Sequence, residues 1–232
     1  MPERFTITCD ADRIQQRFDL ATSEGYIPRY NAAPAQLLPV ITQSEPAGFS
    51  FFYWGSIPVW TKNKNISNRL LTVTADQLLK KANHRQALRT HRCIVPADGW
   101  FEWKQLGKKT KIPYRIAFEQ EKIMSFAGLW EEFEDEKDEL FHIFRLITIP
   151  ANALVGEFSG VMPALLNKDD EKIWLDKQTT ENELIALLQP LSMDKMMSYT
   201  VSPRISDTNQ DSPDLIKRVA PADQFGNFSL FD

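Results

Sequence analysis

The stretch His91-Arg-Cys-Ile-Val-Pro-Ala-Asp-Gly-Trp-Phe-Glu-Trp-Lys104 constrains the fold more than any other part of this chain. An apolar run, an Asp98-Gly99 turn signal and a second run rich in aromatic residues call for two strands meeting at a tight reversal. A strand leaving that turn puts Glu102 on one face and its aromatic neighbours Trp100, Phe101 and Trp103 on the other. A carboxylate so placed has two fates. Desolvation by rings raises a Glu pKa into the range useful for proton transfer, whereas an Arg partner holds it ionised as a structural pair.

The flanking sequence supplies more strands than helices. Arg4 to Thr8 alternates as a strand, and Asp10 opens a helix from Ala11 to Phe18. Residues Arg29 to Pro34 read as a loop leading to a strand from Gln36 to Thr42, which pairs with Phe49 to Trp54. Gly55 to Pro58 breaks that pattern, and Val59 to Arg69, without apolar periodicity, suits an exposed loop or groove wall. Thr74 to Arg89 is expected as one helix with Thr74 as its N-cap. Arg92 to Val95, Gly99 to Lys104, a Lys108-Lys109 turn and Ile112 to Phe118 make a meander. Met124 to Trp130 and Phe141 to Thr148 flank an acidic run, Glu131 to Glu139, that reads as a solvated hairpin loop. Ala151 to Phe158 suggests a short helix, Met162 to Leu166 a strand, and Asp169 to Leu175 and Thr180 to Leu188 further helices. A polar loop from Val201 to Pro213 precedes a last helical turn from Asp214 to Arg218. No repeat or linker divides residues 1–232, so the expected class is a single α+β domain with a curved antiparallel sheet or barrel.

Charge and cysteine usage narrow the function classes. A net charge of −4 and a pI near 5.5 argue against a broad basic surface for nucleic acid, though not against a local groove. The chain shows no apolar run of the roughly 18 residues a membrane span needs, and its start lacks a signal-peptide layout, which makes a cytoplasmic location the expectation. The 2 cysteines, Cys9 and Cys93, are far apart with no CxxC spacing, so neither a metal site nor a cofactor is expected. Cys93, inside an apolar strand, is expected as a buried small hydrophobe, and His142 as a strand residue with a satisfied partner.

Six motifs then occur together and in order: Met1-Pro-Glu-Arg-Phe5, Arg29-Tyr-Asn-Ala-Ala-Pro34, Trp54-Gly-Ser-Ile-Pro58, Arg92 to Trp103, Phe126-Ala-Gly-Leu-Trp130 and Asp211-Ser-Pro-Asp-Leu-Ile216. As an ordered set they resemble the SOS-response-associated peptidase (SRAP) family, from residue 1 to about residue 218. The resemblance implies a β-rich domain with a groove for single-stranded DNA. It also implies covalent linkage to abasic sites through a cysteine that follows the initiator Met, the same thiol releasing a propeptide where one exists.

Carried over position by position, the resemblance is incomplete. Glu102 supplies the family's carboxylate. Pro2 stands where the cysteine is expected, Ser67 at the position of the family's Asn if Arg69 fixes the register, and Ser159 at the position of its His. Serine does not titrate near neutrality, so Ser159 is a poor acid–base substitute for an imidazole. The DNA-gripping set is better kept: Arg4, Asn31, Trp60, Lys62, Lys64, Asn68 and Arg69 combine cations, amides and a stacking surface. Thr61 and Val161 replace further contacts. Three readings follow: a binder of single-stranded or abasic-site DNA without the thiol chemistry; an imine-forming enzyme in which Met1 removal exposes the Pro2 secondary amine beside Glu102; and a scaffold acting through protein contact.

Overall fold

The computed structural model describes residues 2–55, 71–107, 110–134, 138–192, 194–223 and 225–228. In chain order its elements are β1 (Phe5–Ile7), α1 (Ala11–Phe18), β2 (Arg29–Ala32), β3 (Leu37–Thr42), β4 (Ser50–Trp54), β5 (Thr72–Thr74), α2 (Ala75–Leu78), α3 (Ala82–Thr90), β6 (Arg92–Ala97), β7 (Gly99–Gln105), β8 (Lys111–Phe118), β9 (Met124–Glu134), β10 (Leu140–Pro150), β11 (Val161–Pro163), β12 (Leu165–Leu166), α4 (Lys168–Leu175), α5 (Glu181–Ala186) and β13 (Met196–Thr200). One sheet runs β13-β8-β7-β1-β2, the other β11-β10-β4-β3-β6-β9-β12. Because β9 also pairs with β10 along Leu140–Leu146, the path β10-β4-β3-β6-β9 closes on itself as a small barrel. The expected α+β domain with a barrel-like core is what forms, except that β4 and β5 both join β10 in parallel.

The Asp98-Gly99 signal marks a corner between sheets rather than a hairpin. β6 pairs with β3 and β9 in the barrel, while β7 pairs with β1 and β8 in the other sheet, so the expected meander holds only for β7 and β8. A buried ion pair pins the corner. Arg115 Nη2 donates to Asp98 Oδ1 at 2.9 Å, and the other Asp98 oxygen accepts from the Thr8 amide and hydroxyl. Gly99 is required by contact: a Cβ there would lie 2.7 Å from Arg115 Nε. A second buried arginine, Arg92, forms no ion pair among the described residues, its guanidinium donating to the carbonyls of Leu88 and Arg89 in α3 and of Trp174 and Asp176 at the end of α4. It thereby caps two helix C-termini, and burial draws its pKa down to about 10.

Three local expectations yield to tertiary partners. Arg29–Ala32 is a strand, because the Asp211 carboxylate accepts from the Tyr30 and Asn31 amides while β1 pairs on the other side. The helix expected from Thr74 to Arg89 is two: the Thr74 hydroxyl donates to Asp76 instead of capping, and α2 ends after one turn. Ala151–Phe158 holds only a single 3-10 turn at Val155–Glu157. β13, whose Met-Met-Ser-Tyr-Thr lacks alternation, is drawn into the sheet by pairing with β8. The Thr180 capping box, with Glu183 answering its backbone, forms as the sequence indicates. The Lys108-Lys109 turn and the Val59–Arg69 loop lie outside the described residues.

Candidate functional site

β7 separates two apolar environments, and that separation positions Glu102. Trp100 points into the main core with Phe5 and Phe126, while Phe101 and Trp103 join a smaller cluster with Val201, Ile205 and Leu215 on the opposite face. Strict alternation therefore puts Glu102 on the Trp100 side, so only Phe101 and Trp103 occupy the other face as expected, and Trp100 does not. Directly across the ladder from Glu102 stands Tyr114 of β8. The Lys104 ammonium lies 5.8 Å from the Tyr114 ring, and the Phe158 ring packs against the same ring at 4.9 Å.

The amino-terminal segment runs beside this carboxylate. The Phe101 amide donates to the Arg4 carbonyl at 3.0 Å, and Pro2 is buried. Glu102 is 4% exposed, and its pKa is pushed up to about 7. Burial is the main cause; the positive charge of the chain's amino terminus pulls the value down, and Glu3 adds to the rise. Desolvation therefore outweighs the nearby positive charge at this carboxyl. Arg4 is half-buried, donates from Nη1 to the Glu3 carbonyl, and keeps its buried Nε without a partner. Burial lowers its pKa, with Glu3 opposing that change. Among the described residues no carboxylate forms an ion pair with it.

The remaining sequence candidates fall in different places. Ser159 follows Phe158 in a loop carried over the Glu102 face by the Phe158–Tyr114 contact, its hydroxyl accepting from the Val161 amide at 3.3 Å. Asn31 is 1% exposed, and its amide nitrogen donates to the carbonyls of Ile205, Asp207 and Gln210. In that position it holds the carboxy-terminal loop in place. Trp60, Lys62, Lys64, Ser67, Asn68 and Arg69 lie outside the described residues. Cys9 and Cys93 are both buried, and burial pushes both thiols up, so neither is a thiolate near neutrality. His142 accepts or donates at 3.0 Å with Glu132 and stacks on Phe52, the satisfied strand position expected of it. Among the described residues no group of His, Cys, Asp and Glu is arranged to hold a metal ion, and no helix is long and apolar enough to cross a membrane.

Sequence reasoning missed Tyr114, which is paired with Glu102, and Lys104 and Phe158, which pack on the Tyr114 ring. The β7–β8 register would have found Tyr114; nothing local announces Phe158, which arrives from a distant loop.

Comparison with known proteins identifies the family and the fold. The SOS response associated peptidase (SRAP) family profile matches residues 1–208. The abasic site processing protein YoqW of Bacillus subtilis (strain 168) is 35% identical over 219 residues, covering 92% of this chain and 98% of that protein. The abasic site processing protein YoaM of the same organism is 34% identical over 218 residues, 92% of this chain and 96% of its own length. A crystal structure of a protein from Bacteroides thetaiotaomicron superposes with a TM-score of 0.81 at 27% identity, over 93% of this chain and 99% of that one. The chain is a member of the SRAP family.

Proposed function

We propose that this chain acts in the response to DNA damage by binding single-stranded DNA at abasic sites, without a cysteine nucleophile at position 2. The observation that carries the reading is Arg4. A half-buried guanidinium with an unpartnered Nε, and no acid paired with it among the described residues, is suited to a phosphate. The names of the relatives, abasic site processing proteins, give the substrate class. Binding is expected to weaken steeply with salt, as phosphate contacts require. Fluorescence anisotropy with single-stranded oligonucleotides, with and without one abasic site, tests this across a salt series. Arg4→Gln is expected to lower affinity and to reduce the salt slope by about 1. A wild-type protein with no salt-sensitive binding overturns the reading and leaves a scaffold acting through protein contact.

Glu102 supports a second, catalytic reading. With Met1 removed, Pro2 carries a secondary amine along the strand edge that holds Glu102. Such an amine attacks the aldehyde of a ring-opened abasic sugar to give a carbinolamine, which loses hydroxide as water to form an iminium ion. Glu102, a carboxyl whose pKa burial raises, is suited to deliver the proton for that loss. Borohydride reduces the iminium to a stable amine, so a borohydride-dependent band of lower mobility on a denaturing gel, absent when Met1 is retained, is the expected outcome. No such band alongside intact binding leaves the binder alone standing.

A further inference from the structure

Resting on the DNA-binding reading, we propose that Lys104, Tyr114 and Phe158 form a shelf for the nucleotide next to the lesion, with Phe158 stacking its base and Lys104 holding its phosphate. The geometry begins with the β7–β8 register. Glu102 and Tyr114 are directly opposed, and Lys104 follows Glu102 by two residues, so all three side chains leave the same face of the sheet. The Tyr114 ring is covered from one direction by Phe158 at 4.9 Å and from another by the Lys104 ammonium at 5.8 Å. Tyr114 is buried, while Lys104 and Phe158 are half-exposed and make the outer surface.

Lys104 and Phe158 supply the chemistry of the outer surface. Among the described residues no carboxylate forms an ion pair with Lys104, whose ammonium lies 5.8 Å from the Tyr114 ring centroid. A half-exposed ring near a cation is the minimal platform for an unpaired base and its phosphate. An abasic site is where such a platform matters most, because the missing base leaves its neighbour without a stacking partner on one side. The Phe158 loop also carries Ser159, so a base lying on Phe158 would fix the sugar chain over Glu102. The shelf thus selects single-stranded DNA with a purine beside the lesion, since purines offer the larger stacking surface.

The test uses full-length protein and an oligonucleotide carrying 2-aminopurine next to one abasic site, read by fluorescence and by anisotropy. Wild-type protein is expected to quench the 2-aminopurine through stacking. Phe158→Leu is expected to relieve that quenching and weaken binding roughly five- to tenfold, and Lys104→Gln to keep the quenching while lowering the salt slope by about 1. Thermal melting controls for the packing role of Phe158, and Lys104→Gln alters only a rim side chain. If salt-sensitive binding persists while both variants match wild type in quenching and slope, the shelf is wrong and the DNA reading stands. If wild-type protein does not bind at all, both fail together.

Discussion

Asp98 and Glu102 sit four residues apart on one corner and the strand that leaves it, equally buried at 3% and 4% exposure, and they have opposite characters. Asp98 accepts from the Thr6 hydroxyl, the Thr8 amide and hydroxyl, and the Arg115 guanidinium, so its charge is matched by donors on every oxygen. Glu102 lies beside an amino-terminal segment whose Glu3 adds repulsion, and burial drives it toward the neutral form at about 7. Burial is common to both. The two sites differ in how desolvation is balanced: Asp98 is met by Arg115 and two threonines, whereas at Glu102 burial outweighs the positive charge of the amino terminus. Arg115 reaches from β8 to Asp98 at the corner, so the ion pair lies before β7 begins while Glu102 sits in the middle of that strand.

The contrast breaks most severely at the anchor. Asp98→Ala leaves the Arg115 guanidinium buried and uncompensated, and is expected to cost about 3–5 kcal/mol in urea unfolding at pH 7. Pairing it with Arg115→Ala sharpens the point: a double-mutant cycle is expected to recover part of that loss, and purely additive costs would show that the bond is not what holds the corner. Gly99→Ala acts on the same corner by contact, since its Cβ would lie 2.7 Å from Arg115 Nε. Because the guanidinium is pinned between Asp98 and the Tyr199 hydroxyl, the expected cost is at the upper end of about 1–3 kcal/mol, again by urea unfolding. A neutral result at Gly99 would mean that Arg115 can move away and that the anchor is softer than its hydrogen bonds suggest.

What can be read from the residues divides along the same line. β3, β4, β8, β9 and β10 are legible as apolar and aromatic runs bounded by turn residues, the pattern of strands buried along much of their length. The Asp10-capped α1 and the Thr180 capping box are legible because the cap is a local bond. Glu102 stands out by its aromatic neighbours, but its tuning does not, since that depends on burial by distant elements and on Glu3 arriving from the chain start. Asp98-Gly99 reads as a turn because the signal for a reversal and for a sheet-to-sheet corner is the same; only Arg115, a distant residue, distinguishes them. β2 and β13 escape a reading of the residues because Asp211 and β8, rather than their own side chains, make them strands.

The finest test of the comparison is the pH dependence of Glu102. Its folded pKa of about 7 lies above the ordinary 4.5, so between those values the native state binds more protons than the unfolded chain. Stability contributed by this group is therefore lost as pH rises from about 4.5 to about 7 and is constant above that window. Glu102→Gln removes the titration while keeping the shape of the side chain. Its stability relative to wild type is expected to increase across that window, by on the order of 1–2 kcal/mol at pH 8, given roughly 1.4 kcal/mol for each tenfold change in proton affinity and an amide that must still find donors and acceptors. Asp98→Asn is expected to show no such gain at pH 8, because the carboxylate it removes is the form the fold holds. Urea unfolding of both variants and wild type at pH 4.5, 6 and 8 reads the difference directly. If Glu102→Gln is destabilised at pH 8 as Asp98→Asn is, then Glu102 is a second structural anion, its carboxyl holds no proton to hand to a reacting sugar, and the catalytic reading at Pro2 loses its acid.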